Sequence, residues 1–159
     1  MLIVLALVLV ATAALLFTRG AAATPGDSKA QALSRQYEQV TSAARKETLA
    51  FLTVNYKDMD PLIEKVLAGA TGAFKEQYEG ARVQLKATAQ TGQAVATGEV
   101  KEVGIADIDA DTSIVFVAAD GSVTNKSTKG KAMPRHYRFK LTMVRKGEKW
   151  LTSDLQILG

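Results

Sequence analysis

The chain opens with an uninterrupted apolar run, and alternation of apolar and polar positions begins only after it. Residues 2–17 carry no charge, and Thr12 is their only polar side chain. A helix with this sequence is apolar on every side, which indicates lipid surroundings rather than packing by a single face. At about 1.5 Å per residue the run reaches about 24 Å, against a bilayer core of about 30 Å, and residues up to position 23 close the gap. We therefore predict a transmembrane anchor over residues 1–23, whose membrane-embedded side chains include Leu2, Leu9 and Phe17.

The same run also allows a cleaved signal peptide. Three alanines at positions 21–23 form a small-residue cleavage site before Thr24, but the basic segment that normally precedes the apolar run is missing. We favour a retained anchor, and a cleaved signal and a purely soluble protein stay open as alternatives.

Helical spacing follows the apolar run. Residues 24–28 form a short linker of turn residues, and positions 29–55 then show apolar residues three and four apart, which predicts a long helix. Its apolar side comprises Leu33, Tyr37, Val40, Ala44, Thr48, Phe51 and Leu52.

Two further helices are predicted after the long one. Asp60 is suited to be the N-cap of the second, with Pro61 at the first helical position, and Gly69 is suited to end it. Thr71 is suited to cap a third helix, which continues to about Gly92.

Beyond Gly92 the period changes from helical to alternating, which indicates strands. The first, over residues 94–108, is interrupted by Gly98 and Gly104, where we expect bulges or bends. The later predicted strands cover residues 112–119, 122–125, 135–145 and 149–158.

Two hairpin turns are predicted between these strands. Asp120-Gly121 is a strong hairpin pattern and should return the chain into residues 122–125. Gly147 marks the turn before the last strand. Three helices followed by a four- to five-stranded antiparallel meander predict an α+β domain over residues 29–159, with the helices on one face of a curved sheet and a cavity at the mouth of the resulting cone.

Charge is distributed unevenly along this domain. Residues 99–120 carry six acidic side chains and one lysine, whereas residues 123–149 carry nine basic side chains and one glutamate. Such asymmetry predicts an oriented surface for partners or anionic headgroups. Cysteine is absent, which excludes disulfides, a thiol nucleophile and a cysteine-based zinc site.

Catalytic patterns are scarce. His136 is the only histidine, so neither a histidine triad nor a multi-histidine metal site is available. The three aspartates between residues 107 and 111 lack the glycine and glutamate that a calcium loop requires further on, and predict an acidic turn. We predict no catalytic residue, no metal site and no cofactor.

The basic strand over residues 135–145 has two faces. Tyr137, Phe139, Leu141 and Met143 alternate with His136, Arg138 and Lys140, so the aromatic rings point away from the charges, which argues against nucleic-acid binding.

An enzyme on this fold needs a carboxylate or histidine in apolar surroundings, and we expect the acidic residues of this chain to lie in turns or on helix surfaces.

Several stretches resemble the Mce-associated membrane proteins of actinobacteria, which are linked to mammalian-cell-entry (Mce) lipid-import systems. They are residues 50–56 (Ala-Phe-Leu-Thr-Val-Asn-Tyr), 58–62 (Asp-Met-Asp-Pro-Leu), 71–78 (Thr-Gly-Ala-Phe-Lys-Glu-Gln-Tyr) and 149–155 (Lys-Trp-Leu-Thr-Ser-Asp-Leu). The resemblance implies a cone-shaped domain related to nuclear-transport-factor and steroid-isomerase folds. It also implies a non-catalytic accessory subunit of the plasma membrane, with its N-terminus in the cytoplasm, its domain outside, and Mce-complex proteins and membrane lipids as partners.

We predict two sets of side chains, one for the structural core and one for an interaction surface. The structural core should contain Phe74, Tyr78, Tyr137, Phe139 and Trp150, and a candidate interaction surface should contain Arg135, Arg138 and Lys140. Two other functions stay open: a cavity that binds a lipid or small molecule unchanged, and an isomerase- or hydrolase-like enzyme.

Overall fold

The computed structural model describes residues 25–158, and the chain divides into two compact units at Arg35 and Gln36. The predicted anchor, with Leu2, Leu9 and Phe17, lies outside the described residues. Within residues 25–158, no helix has both the length and the apolar content needed to cross a membrane.

Helix α1 spans Pro25–Leu52 and begins four residues before the predicted start. Residues 25–28 were assigned to the linker because they are turn-forming residue types. They are helical because proline fits the first helical position, where a backbone N–H would have no acceptor within the helix. The predicted apolar side is buried only in part: Leu33 and Tyr37 are 49% and 42% exposed, and complete burial begins at Val40.

Three short helices follow a two-residue strand β1, Val54–Asn55; they are α2, Met59–Gly69, α3, Gly72–Gly80, and α4, Arg82–Gly92. Helix α2 begins at Met59, so the N-cap position belongs to Asp58 and not to Asp60 as predicted.

The single third helix that we predicted is two helices, α3 and α4. Gly80 has a low helix propensity, and the chain turns at Ala81, whose ψ is −4°. Arg82, the first residue of α4, donates hydrogen bonds to Glu79 and to Glu64 of α2 and so fixes the new direction.

Four long strands complete the chain: β2, Val95–Ile108, β3, Thr112–Thr124, β4, Met133–Lys146, and β5, Lys149–Ile157. With β1 they form a five-stranded sheet in the order β1-β2-β3-β4-β5, and every neighbouring pair is antiparallel. The α+β architecture with an antiparallel meander is confirmed, with four helices in place of three.

The predicted hairpin at Asp120-Gly121 is wrong. Strand β3 continues through these residues, and Gly121 pairs with Gly98 on β2 and with Arg135 on β4. A Cβ at Gly121 would lie 2.9 Å from the ring of Tyr137, so this glycine makes room for an aromatic ring on the neighbouring strand rather than for a turn.

The bulges predicted at Gly98 and Gly104 of β2 are displaced. Both glycines pair in regular register, and the register shifts instead between Val100 and Glu102 and between Ile105 and Asp107. Gly98 has a different role, because a Cβ there would lie 2.7 Å from the side chain of Leu52.

The main core lies between α1 and one face of the sheet. Alternate residues of the two central strands point into it, including the fully buried Val115, Phe139, Leu141 and Met143. Val40, Ala44 and Leu52 contribute from α1. We call the face of the sheet that points into this core the inner face. The residues between the inward-pointing ones along each strand point the other way and form what we call the outer face.

Candidate functional site

The outer face carries an exposed aromatic ring. Phe116 lies in the middle of β3 and is 43% exposed, while its neighbours Val115 and Val117 are buried in the core. Its register partners are Lys140 on β4 and Gly104 on β2. Because Gly104 has no side chain, and a Cβ there would meet no atom within 4 Å, the β2 side of the ring is open.

A charged network occupies another part of the outer face, in the second half of β3 and near the start of β4. Asp120 Oδ1 lies 2.7 Å from His136 Nδ1, and its Oδ2 lies 3.9 Å from Lys101 Nζ. Lys101 Nζ also lies 2.7 Å from Glu99 Oε2. The hydrogen bond from His136 is the main cause that lowers the pKa of Asp120, and the hydrogen bond to Glu99 is the main cause that raises the pKa of Lys101.

The predicted interaction residues are only partly brought together. Arg138 and Lys140 follow His136 in the outer-face alternation, opposite Ala118 and Phe116. Arg135 alternates with His136 and so falls on the same side of β4 as Tyr137, near the start of the strand. The outer surface therefore consists of Phe116, Arg138, Lys140 and the network of Glu99, Lys101, Asp120 and His136, and we call it the outer-face surface.

The predicted core residues lie as follows. Phe74, Phe139 and Trp150 are 8%, 0% and 5% exposed, whereas Tyr78 and Tyr137 are half-buried. Tyr137 stacks on Phe139 at 5.7 Å between ring centroids. Phe51 of α1 joins these groups, with centroid distances of 6.4 Å to Phe74, 6.2 Å to Tyr78 and 6.0 Å to Phe139.

The expectation that the acidic residues would lie in turns or on helix surfaces is wrong for Glu99 and Asp120, which lie on strands, and also for Glu47, which is buried. This α1 residue is 3% exposed, and its Oε1 has no hydrogen-bond partner. The carboxylate lies against Gly69, the last residue of α2, where a Cβ would meet Oε2 at an impossible distance. Gly69 therefore does more than end a helix, since it makes room for the carboxylate.

Burial dominates the electrostatics of Glu47. Loss of hydration raises its pKa from 4.5 to about 8, and the charge of Lys46 opposes that shift with a smaller effect. The neighbouring Tyr78 also has a raised pKa, first because it is partly buried and second because of the charge on Glu47. At neutral pH Glu47 is therefore mainly protonated.

The spacing of α1 could have revealed Glu47. Val40 and Ala44 are buried, and the next positions of a three-four repeat are Glu47 and Phe51. Glu47 and its neighbour Thr48 are both buried on this side of α1, but only Thr48 was predicted to lie there, because glutamate is usually a surface residue. Only the packing of Gly69 shows that the carboxylate fits there.

Other candidate chemistry is sparse. The side chain of His136 is 75% exposed and paired with Asp120. The predicted acidic turn after β2 is present, with Asp109 N–H bonded to the carbonyl of Thr112. Among residues 25–158, no three acidic or histidine side chains converge as metal ligands.

Solved structures with the same fold come from several sources. The periplasmic domain of DotI is 12% identical, with a TM-score of 0.62, over 75% of this chain and 92% of that one. CagV of Helicobacter pylori, a VirB8 homolog of a type IV secretion system, is 9% identical, with a TM-score of 0.59, over 76% and 96%. A ketosteroid isomerase-like protein of Erwinia carotovora is 21% identical, with a TM-score of 0.50, over 74% and 91%.

At these identities the likeness concerns the fold alone. Proteins with this α+β fold include ones described as ketosteroid isomerase-like and as Ntf2-like. The family model described as "Uncharacterized protein Rv1363c/MT1408-like" matches residues 1–158, and the chain belongs to this family.

A mycobacterial protein is among the relatives of this chain. The protein named "Uncharacterized protein Rv1363c", from Mycobacterium tuberculosis, is 22% identical over 130 residues, which are 80% of this chain and 49% of that protein. The chain thus spans about half the length of the curated relative that it matches.

Proposed function

We propose that this protein is a non-catalytic accessory subunit that binds a protein partner through the outer-face surface, and that the partner belongs to an Mce-type lipid-import complex. The exposed ring of Phe116 carries the proposal. A large aromatic side chain that is 43% exposed in the middle of a strand contributes less to folding than a buried one, whereas aromatic and arginine side chains are enriched in protein interfaces.

The surroundings of Phe116 fit a protein interface. Lys140 supplies positive charge and forms no salt bridge among the described side chains, Arg138 adds a positive charge that also helps to lower the pKa of Asp120, and Asp120 and His136 supply a paired group at the rim. An apolar centre with charged neighbours is the usual arrangement of a specific contact surface, in which the centre gives affinity and the charges give orientation. The partner surface should be apolar at its centre and acidic around it.

Two lines of similarity support the cellular context. DotI and CagV are named as a periplasmic domain and as a type IV secretion component, so this fold also serves multi-protein systems of the cell envelope. The assignment to an Mce complex rests on the sequence resemblance of residues 50–56, 58–62, 71–78 and 149–155. The apolar segment of residues 2–17 would hold the domain on the outer side of the plasma membrane.

An enzyme is the second candidate, because Glu47 is a buried carboxyl with a raised pKa, as acid–base catalysts often are. A catalytic group has to contact its substrate, however, and Glu47 is 3% exposed. We therefore assign Glu47 to the interior and not to catalysis.

Capture from native membranes tests the interaction. The tagged full chain should retain Mce-complex subunits in mild detergent, and Phe116→Ser with Arg138→Glu should abolish that retention. Val83→Ser is the matched control, because Val83 is also apolar and is 79% exposed, but lies on α4. Absence of these subunits from wild-type captures, or their retention by the double variant, would reject the assignment.

Surface labelling tests the membrane arrangement separately. The chain has no cysteine, so Gln77→Cys on the exposed side of α3 introduces a single thiol. An impermeant maleimide should label this thiol on intact cells. Labelling only after lysis would contradict an extracytoplasmic domain, and a mature N-terminus near Thr24 would show that the apolar segment is cleaved.

A further inference from the structure

Helices α1 and α2 border a shallow groove. Seven side chains line it: Lys46, Leu49, Ala50, Thr53, Leu62, Lys65 and Ala68. Its volume is about 300 Å³, at the lower end of the range of small-molecule sites. The groove is separate from the outer-face surface, because its walls are helices rather than strands.

The size of the groove limits what can occupy it. The residues that line it on the α1 side extend from Lys46 to Thr53, the residue directly after the helix, which corresponds to about 10 Å. Leu49, Ala50 and Leu62 are half-buried and provide an apolar floor. An α-helix of a partner is about 10–12 Å wide with its side chains and needs more room, whereas one short alkyl chain fits.

Two cations border this floor. Lys46 and Lys65 are exposed, and neither amine has an ion-pair partner among the described side chains. Glu64, the chain neighbour of Lys65, is paired with Arg82. Glu47, the chain neighbour of Lys46, is mainly protonated at neutral pH because burial raises its pKa to about 8. The positive charge at the groove is therefore not cancelled by adjacent acids.

We propose that the groove binds an amphiphile with one short alkyl chain and a carboxylate head, such as a medium-chain fatty-acid anion. The chain would lie on Leu49, Ala50 and Leu62, and the carboxylate would lie between the amines of Lys46 and Lys65. Apolar contact gives the affinity, and the two cations select the charge of the head. This site is independent of the proposed protein partner.

Photo-crosslinking with the full chain tests the site. The protein is placed in phosphatidylcholine nanodiscs with decanoate that carries a diazirine on its chain, and adducts are mapped by mass spectrometry. We expect adducts on the groove-lining segments 49–53 and 62–68. Unlabelled decanoate should compete, and decyltrimethylammonium, with the same chain length but the opposite charge, should not.

Substitutions separate charge from shape. Lys46→Gln with Lys65→Gln should lower the adduct yield at least tenfold, and Ala68→Phe should fill the groove and abolish the adducts. The matched controls are Lys57→Gln with Lys75→Gln, which removes two exposed lysines elsewhere, and Ala87→Phe on α4. Both controls should leave the yield unchanged.

Several outcomes would overturn the proposal. They are adducts spread evenly over the chain, equal competition by the cationic amphiphile, and an unchanged yield in the double lysine variant. A groove that receives only a side chain of a partner protein would give no adduct that decanoate displaces, and this result would also overturn it. Circular dichroism of each variant shows whether a loss reflects misfolding.

Discussion

The two faces of the same sheet place chemically similar side chains in opposite environments. Phe139 on the inner face is fully buried, and Phe116, on the adjacent strand but on the outer face, is 43% exposed. The carboxyl of Glu47, on the helix that covers the inner face, is buried with one unpartnered oxygen, and the carboxyl of Asp120 on the outer face is paired with His136. The inner face thus serves stability, and the outer face is free to serve recognition.

Replacement of the two phenylalanines should give the largest contrast. Phe139→Ala should lower the free energy of unfolding by about 3–5 kcal/mol, because it leaves a cavity among Leu141, Val117 and Phe51. Phe116→Ala should cost less than about 1 kcal/mol. Urea denaturation measures both. Equal losses would show that the outer face is covered in solution and would contradict the comparison.

Titration of Glu47 should give the next largest effect. Its pKa is raised in the folded state, so the folded protein binds the proton more tightly, and stability is lost as the pH rises from 4.5 through about 8. We expect a loss of about 3 kcal/mol between pH 5 and pH 8 from this group. Glu47→Gln should remove that dependence and stabilise the protein at pH 8.

Denaturation at several pH values checks this prediction. Glu76→Gln, at an exposed position of α3, is the matched control and should keep the wild-type slope. If Glu47→Gln also keeps the wild-type slope, then Glu47 is ionised in the folded protein and the burial argument fails.

A pair of glycines on β2 should give a smaller contrast. Gly98→Ala brings a Cβ to 2.7 Å from Leu52 and should cost about 1–3 kcal/mol, since a buried α1 side chain has to move. Gly104→Ala meets no atom within 4 Å and should change stability by less than about 0.5 kcal/mol. Thermal unfolding compares them, and a cost at Gly104 as large as that at Gly98 would refute the close approach.

Removal of the Asp120 carboxylate should have the smallest effect on stability. The pKa of Asp120 is lowered in the folded state, so its contribution is present at neutral pH and is lost as the pH falls through the folded pKa. Asp120→Asn should lower the melting temperature slightly at pH 7 and not at all in strong acid. Glu148→Gln, in the β4–β5 turn, is the control. A large loss at pH 7 would mean that the outer face contributes to folding.

Local patterns predicted much of the domain because they report on one element at a time. Alternation along β4 correctly separated Phe139 and Leu141 from Arg138 and Lys140, and the turn before β5 was found from Gly147. Helix α2 was found within two residues of its start. These features depend on residues that are neighbours in the sequence, so the sequence contains the information directly.

Two of the errors share one cause, which is that a residue type was interpreted without the residue that lies against it. Asp120-Gly121 has the composition of a hairpin turn, but Gly121 lies beneath the ring of Tyr137 within a continuous strand. Glu47 has the polarity of a surface residue, but Gly69 leaves room for its carboxylate inside. In both cases a distant side chain decides the outcome.

The sequence by itself determined the α+β class, the strand faces and the apolar character of residues 2–17, because periodicity and composition are local properties. Tertiary structure decided which glycines admit a neighbour, which carboxyl is buried, and that Phe116 stands beside an open position on β2. These are contacts between elements, and their energies depend on distances that no sequence spacing specifies.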